Sequence, residues 1–227
     1  MSKHGDRARL PLPALVIDAS SPCVAAGVLG ADRTWQAYAE YAGGALESLF
    51  SCVEQALQAA QTELSELRSF IYSEGPGSVL GLRLAAMAIQ TWSRLQPEPL
   101  PRYAYNSLCL TAELILRDQP QLSNGLLVSD WKKDAWHAIQ FADGKAGPLK
   151  VIDTATLNAW SGPRFHLPQR KGWQTPPENC TTVAHQPKCL IDCLDETGLL
   201  WQTEGIQLYS ASSSRFQKWV PQRHRGP

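Results

Sequence analysis

The stretch Gly75-Pro76-Gly77-Ser78-Val79-Leu80-Gly81-Leu82-Arg83 constrains the fold of this chain more than any other. It follows the apolar run Ser69-Phe70-Ile71-Tyr72 and leads into a long segment with small residues at helical spacing. Two glycines around a proline turn the backbone sharply. Ser78 then stands where a helix N-cap is wanted, its oxygen able to accept an orphan amide hydrogen. The residues therefore spell strand, tight turn, helix. The free amides of such a helix start suit an anion. A tight connection that holds no ligand accounts for the same residues, and the local pattern favours it.

Around this junction the chain alternates strands and helices. Residues 1–13 are polar and then proline-punctuated, and read as a flexible tail. Ala14 to Ile17 is an apolar run that suits a strand buried on both faces. Asp18 to Pro22 turns the chain into a second strand, Cys23 to Leu29, and a third follows from Thr34 to Glu40. These make an antiparallel meander. Leu46, Leu49, Phe50, Val53, Leu57 and Ala60 recur at three- and four-residue steps and predict an amphipathic helix. A strand from Arg68 to Ser73 and the helix from Ser78 to Leu95 complete this part, and Pro97 and Pro99 stop that helix.

Pro97 to Pro101 is the expected boundary, with one lobe over 14–101 and a smaller, divergent lobe over 102–227 whose last segment packs back on the first. Asn106-Ser107 caps a helix from Leu108 to Arg117. Gly125 to Ser129 and Ala135 to Phe141 pair as a hairpin across Asp130 to Asp134. Asn158 to Thr181 reads as loop. Pro187 opens a helix ending at Gly198, and Ala211 to Trp219 reads as a last short one. Strand–turn–strand openings that begin with an aspartate occur at Asp18 and at Asp130, each before a helix-rich segment. That suggests two related α/β halves rather than a Rossmann sheet, whose first turn would need GxGxxG.

Composition narrows the function. The chain has 227 residues, 44% of them hydrophobic, enough for a sizeable core. Its formal net charge is zero, which argues against a surface built mainly to grip nucleic acid. The short basic run Arg223-His224-Arg225 reads as a solvated tail. Eight tryptophans, mostly in the second half, could stack bases, but serve more readily as core and interface anchors. Six cysteines without a secretory segment before them read as reduced thiols of a cytoplasmic protein. No run is long and apolar enough to cross a bilayer.

Candidate chemistry is sparse. Asp18 with Ser20 and Ser21 could hold a hydrated metal and a phosphate, but an Asx turn explains them as well and is preferred. His185, Cys189 and Cys193 stand at i, i+4, i+8, the pattern of a zinc site on one helix face. Pro187 breaks that alignment and Leu190 and Leu194 suit a core stripe, so no metal is expected. No HExxH, no P-loop lysine and no local Cys/His pair supports hydrolytic catalysis. Gly81, Ala85 and Ala88 form a small-residue stripe along one helix face, fit for close approach of a partner helix or of the chain's own sheet.

The order of these motifs resembles the TsaB (YeaZ) family, the non-catalytic partner in bacterial threonylcarbamoyl-adenosine synthesis on tRNA. The residues that carry the resemblance are Asp18-Ala19-Ser20-Ser21, Leu64-Ser65-Glu66-Leu67, the stretch Gly75 to Arg83, Asn106-Ser107-Leu108, Asp130-Trp131-Lys132, Asp134-Ala135-Trp136 and Gln207-Leu208-Tyr209. Family members carry Phe-Thr where this chain has Val79-Leu80, an arginine where it has Glu74, and His-Ser near its Gly43-Gly44, so it is a divergent member.

The resemblance implies an α/β, actin/Hsp70-like (ASKHA) fold of two related lobes, each a mixed sheet with flanking helices. It implies a scaffold with no catalytic residue of its own, no cofactor and no metal. The family motif residues are Asp18, Ser20, Gly75, Pro76, Gly77, Ser78 and Asp130. The implied partner is the catalytic paralogue TsaD, with the ATPase TsaE joining, tRNA reached only through the complex, and a homodimer on the same surface as an alternative. The implied contact residues lie on the two long helices: Leu46, Leu49, Phe50, Val53, Gly81, Arg83, Ala85 and Ala88. The rival expectation is an ATP-dependent kinase or ATPase of the same fold using Asp18 and Asp130.

Overall fold

A computed structural model describes residues 10–168, 178–196 and 198–211. The chain opens with β1 (Ala14–Asp18), β2 (Cys23–Leu29) and β3 (Trp35–Ala42), then α1 (Ala45–Ala59), β4 (Ser69–Gly75), α2 (Val79–Leu95), β5 (Arg102–Asn106) and α3 (Ser107–Asp118). β6 (Asn124–Lys132), β7 (Ala135–Ala142), β8 (Lys145–Ala146), β9 (Lys150–Asp153), α4 (Thr154–Asn158), β10 (Arg164–His166) and β11 (Thr181–Thr182) follow. A 3-10 helix over Pro187–Cys193 and β12 (Leu200–Thr203) end the described chain.

Two sheets result. The first runs β12-β5-β4-β1-β2-β3, and the second runs β11-β10-β6-β7-β8, with β9 also on β7. β1 pairs antiparallel with β2 and parallel with β4. β6 pairs antiparallel with β7 and parallel with β10. The two halves thus repeat one plan: a central strand, a hairpin partner on one side, a parallel crossover strand on the other. This is the actin/Hsp70-like architecture, two mixed sheets with flanking helices. Asp18 closes β1, and Asp130 lies near the end of β6, its counterpart.

Side-chain alternation along β1 divides the first core. Leu15 and Ile17 point into a layer with Leu49, Cys52, Val53 and Ala56 of α1 and with Ala85, Ala88 and Ile89 of α2. Ala14 and Val16 point the other way, against Tyr103, Tyr105, Leu110 of α3, and Leu190, Cys193 and Leu199. The second sheet packs against α3 through Leu108, Ala112 and Ile115.

Four expectations change. Pro97 to Pro101 turns the chain but separates nothing, because β5 beyond it pairs parallel with β4 in the first sheet. Residues 10–13 are not loose: Leu10 and Leu12 pack on the core, and the Ser69 hydroxyl donates to the Pro11 carbonyl at 2.6 Å. The loop read over Asn158 to Thr181 contains β10, whose three residues pair with Leu126 to Val128. Pro187 opens a 3-10 helix that stops at Cys193 rather than a helix to Gly198. The short helix expected from Ala211 to Trp219 lies outside the described residues apart from Ala211. All six cysteines are free thiols. Among the described residues no helix is long and apolar enough to cross a membrane.

Candidate functional site

Two places could carry function: the strand ends where the two halves meet, and the outer face of α1 and α2. At the first, Asp18 is buried and its carboxylate is filled by the chain itself. Oδ1 accepts from the Ser20 amide at 2.7 Å and the Ser20 hydroxyl at 2.6 Å, the Asx turn the sequence suggests. Oδ2 accepts from the Tyr105 hydroxyl, and His185 Nε2 lies 2.8 Å from it. The other ring nitrogen of His185 meets the Thr111 hydroxyl at 3.2 Å.

Burial alone would push the Asp18 carboxyl up. The His185 charge and the hydrogen bonds from His185, Ser20 and Tyr105 outweigh burial and hold it at about 2. Burial first, and then the Asp18 charge, push the Tyr105 phenol well up, so it stays a donor. Neither Tyr105 nor His185 was visible as a partner in the sequence. They stand 87 and 167 residues away, with no local signal pointing to Asp18.

The glycine-rich junction is filled in the same way. A Cβ on Gly77 would lie 2.3 Å from the Ser20 carbonyl oxygen, and one on Gly81 2.3 Å from that of Ala19. The Ser78 amide donates to the Ser20 carbonyl at 2.8 Å. The Ser78 hydroxyl caps α2 by accepting from the Gly81 amide at 3.2 Å. The glycines therefore let α2 seat directly on the turn after β1, and the backbone of Ala19 and Ser20 occupies the space an anion would need. The same region is tied to α3, since the Ser107 hydroxyl donates to the Pro76 carbonyl at 2.9 Å. Asn106 caps α3 and donates to Glu74 at 2.9 Å.

Asp130 repeats the pattern in the second half. It is buried, with His166 Nε2 3.2 Å from Oδ1. It borders a small cleft of about 190 Å³ shared with Gly77, Val79, Trp131 and Tyr209. Asp18 does not line that cleft, so the two aspartates do not share it. His185, Cys189 and Cys193 are not brought together: His185 serves Asp18, Cys189 reaches Gln186, and Cys193 sits in the core. Among the described residues no three metal-ligating side chains converge.

The outer face of the helix pair is different. Leu46 and Phe50 of α1 are 62% and 55% exposed, and Leu80 and Met87 of α2 are 57% and 65% exposed. Phe50 meets Trp92 edge-on, and a groove of about 580 Å³ opens beside them over Val53, Leu57 and Leu64. Burial divides the contact residues that the resemblance implies. Leu49, Gly81, Ala85 and Ala88 are buried within the chain and Val53 is buried at the edge of the groove, whereas Leu46, Phe50 and Arg83 are exposed. The small stripe gives close approach, but to the chain's own β1 and the turn after it.

Comparison with known proteins fits this geometry. The family model of TsaD, tRNA N6-adenosine threonylcarbamoyltransferase, matches residues 44–102, which span α1, β4 and α2. A solved structure of YeaZ from Pseudomonas aeruginosa superposes with a TM-score of 0.51 at 20% identity, covering 68% of this chain and 75% of that one. A second, an uncharacterized protein with similarity to peptidase YeaZ from Pseudomonas aeruginosa, reaches 0.60 at 17% identity, covering 86% of this chain and 98% of that one.

The fold is YeaZ-like. The likeness extends through both halves, since the second relative is matched over almost its whole length. No curated protein matches the sequence. The segment that the TsaD model matches is the one that bears the exposed helix face.

Proposed function

We propose that the chain is a non-catalytic, TsaB-like subunit that docks a TsaD-type tRNA threonylcarbamoyltransferase and holds it for threonylcarbamoyladenosine formation on tRNA. The observation that carries this reading is the outward apolar face of Leu46, Phe50, Leu80 and Met87 on the two helices of the TsaD-like segment. Large exposed side chains that cluster in this way mark an interaction site. Burying one of them contributes about 1–2 kcal/mol. A partner built on the same segment would bring an equivalent helix pair, and two such pairs close into a four-helix packing.

The inward side supports the non-catalytic part. Phosphoryl transfer that used Asp18 and Asp130 would need their carboxylates open to a metal-bound phosphate. Here His185 and Tyr105 fill the Asp18 carboxylate. The kinase or ATPase alternative therefore has no geometric support at Asp18.

The test is calorimetric titration of the chain with the TsaD-type subunit of the same organism. The unmodified chain is expected to bind. Leu80→Asp with Met87→Asp is expected to abolish binding while leaving the melting temperature within a few degrees, since both side chains lie outside the core. Equal binding by that double variant overturns the proposal.

A further inference from the structure

α2 contains no acidic residue, and its exposed stripe carries two guanidinium groups, Arg83 and Arg94. Among the described residues neither forms an ion pair within the chain. Leu80, Met87 and Arg94 recur at intervals of seven along this stripe, and Arg83 lies one turn after Leu80. A seven-residue recurrence is the spacing with which one helix presents itself to another along its length. Arg83 and Arg94 are eleven residues apart, three turns to within about 20°, so they share one side of the helix. Their Cα atoms are about 16 Å apart along the axis.

We infer that the partner's helix that lies over α2 is acidic, with carboxylates spaced about 16 Å apart to meet Arg83 and Arg94 beside the Leu80–Met87 ridge. This rests on the docking function proposed above and specifies the chemistry of the partner. An arginine at the edge of an apolar contact pairs with a carboxylate through two parallel hydrogen bonds, which selects orientation as well as charge. A second copy of this chain fits less well. The carboxylates of α1 are Glu47 and Glu54, seven residues and about 10 Å apart, so they reach the two guanidinium groups one at a time.

The experiment uses the full chain and the purified TsaD-type subunit of the same organism, titrated at about 50 and about 300 mM salt. The unmodified chain is expected to lose about tenfold in affinity at the higher salt. Arg83→Glu with Arg94→Glu is expected to bind at least about thirtyfold more weakly at low salt, with the gap narrowing at high salt. The pair Arg83→Lys and Arg94→Lys keeps the charge and loses only a few-fold. Reversal that leaves affinity within twofold, or an affinity indifferent to salt, overturns the acidic-helix inference and leaves docking standing. If the unmodified chain does not bind at all, the docking function itself fails, a result the charge variants cannot mimic. A charge-dependent dimer of this chain in sedimentation, with no affinity for the TsaD-type subunit, makes a second copy the occupant and overturns the inference.

Discussion

Asp18 is the residue on which the chain closes. Its carboxylate gathers Ser20 from the next turn, Tyr105 from β5 and His185 from far along the sequence. Because its folded pKa is held at about 2, below the ordinary carboxylate value of 3.8, it contributes stability that is fully present above about pH 4. That contribution, about 2 kcal/mol, is lost as pH falls from 4 through 2. Asp18→Asn removes the charge partner of His185 and leaves Tyr105 without its acceptor. It is expected to cost about 3–5 kcal/mol at pH 7 and to flatten the acid limb of the stability curve. Urea unfolding from pH 2 to 7 measures both, and an unchanged acid limb would refute the assignment. The sequence showed this aspartate and its Asx turn, because Ser20 is two residues away. It showed neither Tyr105 nor His185, because nothing in local residue order records a hydrogen bond across 87 or 167 positions.

At the scale of elements, α2 shows how much a periodic pattern can say. Its limits and its Ser78 cap were legible, since capping and helical period act over a few residues. The direction of the Gly81, Ala85 and Ala88 stripe was not, because a small-residue face accepts a partner helix or the chain's own sheet equally. The structure turns it inward, where Gly81 touches Ala19 and Ala85 packs in the core with Leu15 and Ile17. Ala85→Trp is therefore expected to overpack that layer, costing about 2 kcal/mol or more and lowering the melting temperature sharply. A variant that melts like the unmodified chain yet no longer docks would return the stripe to the partner surface. α1 divides the same way: Leu49 and Val53 enter the core, and Leu46 and Phe50 on the same apolar run remain outside. An apolar stripe wider than the sheet can cover leaves a remainder, and that remainder is the candidate docking face.

Over the whole molecule, the first sheet is finished by residues from the second half of the chain. β12 adds to its edge beside β5, with Trp201 opposite Ala104, and the Tyr72 hydroxyl accepts from the Gln207 amide at 3.0 Å. Leu190, Cys193 and Leu199 cover the face of β1 that α1 and α2 leave bare. A fragment of residues 14–101 lacks β5, β12 and that cover. It is expected to bind a hydrophobic dye and to show poorly dispersed amide resonances, whereas the full chain folds. A well-dispersed spectrum from the short fragment would make the first half autonomous. The order of strands and helices, the glycine junction and the two aspartates at corresponding strand ends were all written in short-range pattern, which sequence alone determined. The tertiary structure decided which helix face met the sheet, what filled the strand-end carboxylates and which late segment completed the first sheet. Those outcomes depend on packing between residues from tens to more than a hundred and fifty positions apart, where many pairings satisfy the local rules and only one buries the apolar surface with its polar groups satisfied.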